Sequence, residues 1–464
     1  MLLKNLRYQH VEGRQSAMEA LSLILNKVGD QVLGERLSMM FIPIVHSMAN
    51  DDSADCRTMA GALVKTVFER ANPAQLKSFA GDLKEWLTQD EDPGLKRLGI
   101  QCWGLYLEVA DAKPKELEFV VGQLQSTLDL CLGRRDEEDW ELIYYSLLVF
   151  SKLTKPWADY TLSSKQEGMW ASIRSCVSYP HAWVKLTAAK LLGIFFADLS
   201  TANSETGLES VPLEGSRGLE MSEEMMVKLT HAFTRNLELP NASEDLCIQS
   251  VRNLAFLARC LAANGIKWNW KKVDDEADSD ASISDSDSDD SPTKGTPPTA
   301  LNRLMNRLSG LLRRETKIMK LSSLYPKSAT ATLLETLTIK LPIPALTSSL
   351  PHLLTTLSTL TDPATTIPRS TEAAFNDTYR GIIDKGREIM ATLQKRMGTQ
   401  EYLDVMKEVQ KGVRERREER RSKRKIAAVA EPEKWGREKK RRNEVKKVRR
   451  KEKGQEYQGK RRGW

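Results

Sequence analysis

Apolar residues recur at three- and four-residue steps along most of the chain, in pairs of runs joined by short polar turns. In the stretch FIPIVHSMANDDSADCRTMAGALVKTVFE, residues 41–69, one apolar run leads into an Asp-rich turn and a second run follows. There Cys56, Met59, Ala60, Leu63, Val64 and Val67 share one face. The pattern predicts a helical hairpin. It returns over 83–109, where Asp92 and Pro93 make the turn and Leu95, Leu98, Cys102, Leu105 and Tyr106 form the following face. A third copy covers 121–153. A fourth covers 169–199, with Tyr179 and Pro180 at its turn and Val184, Ala188, Leu191, Leu192 and Phe195 behind it.

Taking Arg57, Lys96, Glu141 and Lys185 as equivalent, the steps are 39, 45 and 44 residues. That period belongs to HEAT and armadillo arrays. One hairpin hides only part of its apolar surface and needs a neighbour on each side, so the copies stack. The turn Asp is expected to accept from free N–H groups opening the second helix. The Arg or Lys just inside that helix is expected to pair with a neighbouring turn Asp. The expected fold is all-α: a HEAT/armadillo-like α-solenoid with an extended basic helical C-terminal tail. Its parts are a solenoid over 1–199, an inserted polar loop over 200–221 and a further repeat over 222–265. An acidic Ser/Asp-rich disordered linker over 266–299 follows, then helical repeats over 300–362, a helical segment over 372–411 and a basic tail over 412–464.

Composition agrees with helices. Aromatics are only 6% of residues, thin for a large sandwich or barrel core and sufficient for helix-on-helix layers. The formal charge of +7 conceals an asymmetry: residues 412–464 hold 23 Lys and Arg against 9 Asp and Glu, a net +14, which leaves −7 for the rest. A mildly acidic body with a concentrated basic arm points to a polyanion partner, nucleic acid above all. Cys56, Cys102, Cys131, Cys176, Cys247 and Cys260 lie far apart with no Cys-x-x-Cys pair and read as reduced core residues. Charges break up every apolar run, so neither a signal-peptide core nor a membrane span is expected.

The tail carries the candidate chemistry. Arg416, Arg417, Arg420, Arg421, Lys423, Arg424 and Lys425 form one cluster, and Lys439, Lys440, Arg441, Arg442, Lys446, Lys447, Arg449 and Arg450 a second, divided near Pro432. Such cations neutralise phosphates and release counterions, which gives affinity without base-sequence readout. Trp435 and Trp464 are candidate aromatic anchors for unpaired bases or protein pockets. The same basic runs also fit a nuclear import signal, with no RNA role. Ser282, Ser284 and Ser286, each with Asp three residues on, are candidate phosphorylation sites in the acidic linker.

No nucleotide-binding, metalloprotease or nucleophile-elbow motif occurs, and His10, His46, His181, His231 and His352 are isolated in sequence. No catalytic residue, metal site, cofactor or small-molecule substrate is expected. The tryptophans also lack the partner spacing of a peptide-binding ladder: Leu107, Tyr144 and Thr187 follow Trp103, Trp140 and Trp183 four residues on. They are expected to fill seams between repeats.

Three segments carry a family resemblance. They are KNLRYQHVEGRQSAMEALSLILNKVGDQVL at 4–33, FIPIVHSMANDDSADCRTMA at 41–60, and the stretch 397–454 with its Arg-rich run, Ala spacer and Pro before a second basic run. They resemble the C-terminal region of the U-three-protein twenty family, also called down-regulated in metastasis. The resemblance implies a non-catalytic HEAT-repeat component of the small-subunit processome, located in the nucleus and nucleolus. Its implied partners are pre-ribosomal RNA, processome proteins and the U-three small nucleolar RNA particle, with no membrane role. Whole members are several times longer, so the chain is expected to be a C-terminal piece. From another function class, a HEAT-repeat transport or signalling adapter with an import tail remains open.

Overall fold

A computed structural model describes residues 1–110, 113–134, 139–204, 207–267, 299–314, 316, 318–362 and 370–430, together with Gly436, Lys440 and Glu444. Sixteen helices of ten or more residues lie among them. They are α1 Val11–Lys27, α2 Leu37–Asn50, α3 Ala54–Arg70, α4 Pro73–Leu87, α5 Pro93–Val109, α6 Pro114–Arg134, α7 Trp140–Leu153 and α8 Glu167–Cys176, followed by α9 Ala182–Ala202, α10 Glu223–Glu238, α11 Glu244–Asn264, α12 Ala300–Arg313, α13 Tyr325–Lys340, α14 Leu350–Thr361, α15 Ala373–Met397 and α16 Thr399–Ala430.

The helices form two layers. Each odd-numbered helix packs on the next odd one, α1 on α3 and onward without a break to α13 on α15. Even-numbered helices line the other side, with α6 on α8, α10 on α12, α12 on α14 and α14 on α16. Each hairpin thus adds one helix to each layer. This is the all-α solenoid expected from the period.

Local sequence sets the hairpin ends. Pro93 opens α5 and the Asp92 side chain accepts from Leu95 N at 2.9 Å, so the turn aspartate caps as expected. Asn72 and Gln75 form a reciprocal capping box at α4, behind Pro73. At α3 the cap is Ser53 instead, because Asp51 is engaged elsewhere: Arg14 Nε on α1 donates to it at 2.9 Å, and Arg14 also pairs with Asp52. Arg57 donates to the backbone carbonyls of Asp51 and Asp52, at 2.6 and 3.2 Å, and Lys96 pairs with Asp90 of its own turn at 2.5 Å. Arg14, 43 residues before Arg57 and at the same place just inside its helix, thus meets a neighbouring turn as expected, while Arg57 and Lys96 stay with their own.

Aromatic rings run through the interior from one repeat to the next. Phe41 contacts Phe68 and Phe79 at 5.6 and 4.5 Å between centroids, and Phe68 meets Tyr106 at 5.5 Å. Further along, Trp170 lies between Phe150 and Phe195, at 5.7 and 5.4 Å. All six cysteines are buried and free. Burial pushes the Cys131 thiol up to about 11 and those of Cys176, Cys247 and Cys260 to about 12.

Residues 200–221, read from sequence as a polar loop, are built into the array wherever they are described. Helix α9 runs on to Ala202, and β1 (Leu213–Glu214) pairs antiparallel with β2 (Glu220–Met221). Leu208, Leu213, Leu219 and Met221 are buried. Asp198 on α9 anchors the hairpin, accepting from Ser216 Oγ and Arg217 Nη1, each at 2.6 Å. Gly and Ser outnumber the apolar residues here, and the spacing of the four buried ones matches neither helix nor long strand, which hid the element. One described helix, α11, is long and apolar enough to cross a membrane, contrary to the reading from charges. It packs instead between α9, α10 and α13, with Leu246, Leu254, Leu257 and Leu261 buried, as a core helix does.

An ion-pair rung crosses three hairpins. Glu108 on α5 binds Lys65 of α3 at 2.9 Å and Lys152 of α7 at 2.6 Å. Burial acts to raise the Glu108 carboxyl, yet hydrogen bonds from Lys152 and Lys65 hold it below the usual carboxylate range. A depressed folded-state value stabilises above the unfolded one, and that share is lost as pH falls through the folded value. Glu108→Gln is expected to lower the urea midpoint at neutral pH and to flatten its decline below about pH 5. An unchanged acid-side slope would remove Glu108 from the linkage.

Candidate nucleic-acid interface

The basic run continues a helix whose first part is docked. Gly398, at φ +89, reverses the chain after α15. Helix α16 then packs on α14 and α15, with Tyr402 and Val409 buried and Val405 and Met406 half-buried. These residues form a seam at helical steps, the even-layer position of one more hairpin. Several cations before this point are occupied locally: Lys385 donates to Thr332 Oγ1 at 2.5 Å, Arg396 to the Thr338 carbonyl, and Arg387 and Lys407 to Asp384 and Asp404 at 2.6 and 3.1 Å.

Beyond residue 412 the same register meets a different sequence. Three- and four-residue steps from 402, 405 and 409 lead to positions 413, 416, 420 and 423, where the seam residues give way to Val413, Arg416, Arg420 and Lys423. The opposite stripe is mostly acidic and exposed: Asp404, Glu408, Glu415, Glu418 and Glu419, with Ser422 and with Lys411, which pairs with Glu415. Along the helix the register of the packing side thus turns cationic while the outer stripe stays mostly acidic.

Of the sequence-predicted tail residues, Arg416, Arg417, Arg420, Arg421, Lys423, Arg424 and Lys425 belong to the helical backbone of α16, with side chains outside the described part. Lys440 is helical and exposed. Lys439, Arg441, Arg442, Lys446, Lys447, Arg449, Arg450, Trp435 and Trp464 lie outside the described residues, as do Ser282, Ser284 and Ser286 and nearly all of the 266–299 linker. Among the described residues no group of three or more His, Cys, Asp or Glu is placed to hold a metal ion.

The tryptophans divide. Trp103 is fully buried, as a seam filler would be. Trp183, also read as a seam residue, is 56% exposed. It stands at the start of α9 beside His181 and the half-buried Trp140 of α7, and His181 stacks on Trp140 at 3.9 Å. The sequence marks His181 as isolated and Trp140 and Trp183 as seam residues; the one local signal of the group is three aromatic rings, Tyr179, His181 and Trp183, within about a turn.

No family model matches the chain. The U3 small nucleolar RNA-associated protein 20 of Schizosaccharomyces pombe is 32% identical over 264 residues, 56% of this chain and 10% of that protein. Its namesake in Saccharomyces cerevisiae is 26% identical over 438 residues, 93% of this chain and 16% of that protein. The chain therefore spans a small part of the length of the curated relatives it matches. Among solved structures, Kap121p bound to Pho4p has a TM-score of 0.39 at 10% identity, covering 92% of this chain and 41% of that one. A computationally designed armadillo repeat protein has a TM-score of 0.29 at 15% identity, covering 55% of this chain and 98% of that one. Likenesses of that degree leave the fold to rest on the two-layer packing described above. Both curated relatives carry the name U3 small nucleolar RNA-associated protein 20, and the chain is similar to a part of each.

Proposed function

We propose that the chain is a non-catalytic scaffold segment of ribosome biogenesis, acting in the nucleolus on the small-subunit rRNA precursor. In this reading the basic tail over 412–464 grips pre-ribosomal RNA and the two-layer array presents surfaces to assembly proteins, within a particle that includes the U3 small nucleolar RNA. The name shared by both curated relatives supports the RNA setting. The observation that carries the division of labour is α16 itself. Its packing side is apolar while it rests on α14 and α15, and its register becomes cationic where the buried residues end. A helix of this kind holds its basic part at a fixed place on a rigid body, which positions phosphate contacts without reading bases.

A reporter fused to residues 399–464 tests the reading. Nucleolar retention that ribonuclease treatment abolishes is the expected result. Diffuse nuclear signal would instead favour the adapter whose tail serves import alone.

A further inference from the structure

The aromatic group at the turn edge of the third and fourth hairpins leaves Trp183 exposed, with carboxylates on the neighbouring helix end. Trp183 meets Trp140 and His181 edge-on, at 5.5 and 5.7 Å, and Tyr144 at 5.7 Å. Its ring is fixed from the sides while 56% of the residue faces solvent. Three rings brace it, Trp140 and Tyr144 from α7 and His181 from the turn before α9. His181 adds a second sign of an incomplete site, since its Nδ1 is buried with no hydrogen-bond partner. Burial lowers the His181 value.

The charges on this edge discriminate between ligands. At the start of α7, Asp139 holds the N-cap position without a side-chain cap bond, and the Glu141 charge is met by Arg97. On the neighbouring α11, Glu244 and Asp245 occupy the first turn and are exposed. The cation sharing the edge, Lys185, is buried one half-turn after Trp183, and burial pushes its amine down. The exposed carboxylates of Glu244 and Asp245 repel a phosphodiester and attract a cation. A fixed, exposed indole face prefers a guanidinium, which stacks flat on it.

We propose that the Trp140, His181 and Trp183 ledge docks an arginine-bearing segment of a partner protein, with the guanidinium stacked on Trp183 and its charge met by Glu244 and Asp245. This surface is separate from the tail and does not depend on the tail's RNA role. It supplies the array with a protein-binding point of defined chemistry.

The test uses the full chain and three labelled probes, a Gly-Arg repeat peptide, a Gly-Lys repeat peptide of equal length and an oligouridine, titrated by fluorescence anisotropy. Trp183→Ala is expected to weaken the Gly-Arg peptide about fivefold and the Gly-Lys peptide less, with Trp183→Phe within about twofold of the unmodified chain. Glu244→Gln combined with Asp245→Asn is expected to weaken both peptides. Because Trp183 is largely exposed, circular dichroism should show an unchanged helix content in each variant. Equal Gly-Arg affinity in Trp183→Ala overturns the proposal, and so does a loss confined to oligouridine, which would make the ledge a base-stacking platform.

Discussion

Removal of residues 413–464 is expected to lower affinity for a structured RNA about a hundredfold or more at low salt and to flatten the salt dependence. The tail holds most of the chain's net positive charge, and the remaining body is acidic. Cations that displace condensed counterions contribute slightly less than one unit each to the slope of log affinity against log salt. Six to ten such contacts would cost roughly a thousandfold or more between about 50 and 200 mM salt. Changing Arg416, Arg417, Arg420 and Arg421 together to glutamine is therefore expected to reduce the slope by about three to four units, with little change in base preference. The docked part of α16 keeps Tyr402 and Val409, so the truncated chain should retain its fold. An unchanged slope in both variants would end the RNA role of the tail and leave the import role standing.

The second large effect lies in the core. Trp170→Ala is expected to destabilise the chain by about 3 to 5 kcal/mol, read as a lower urea midpoint. The indole is fully buried against Phe150 and Phe195, and its Nε1 donates to the Thr161 carbonyl at 2.8 Å. Truncation leaves a cavity and a buried carbonyl without its donor. In a stacked array each hairpin depends on its neighbours, so hydrogen exchange should accelerate first in α8 and α9 and only later at either end. A loss below about 1 kcal/mol would mean that the seam collapses around the vacancy.

The contrast between Trp170 and Trp183 shows where sequence reading runs out. Both stand in the fourth hairpin, both have apolar neighbours, and the period gives each an inter-repeat place. Only the packing shows that one fills the seam and the other leaves it. The turn cations are a similar case: at equivalent places Arg14 reaches Asp51 and Asp52 of the next turn while Arg57 and Lys96 stay with their own, and the period does not tell them apart. For α16 the reverse holds. Once the helix is known to dock through 402, 405 and 409, the cationic continuation of its packing side follows from sequence and helical register alone.

By itself the sequence determined the helical hairpins, their period, the reduced buried cysteines and the division between an acidic body and a basic tail. Each of these is a local or compositional property: 3.6-residue periodicity, capping residues at turns and the sum of charges. Tertiary structure alone decided which cation meets which turn, that residues around 213–221 fold as an anchored β-hairpin, and that three aromatic rings form an exposed ledge. These depend on which side chains of distant residues meet across the stacking seam. A one-dimensional pattern holds no record of that, because burial at a seam is a property of two neighbouring hairpins together.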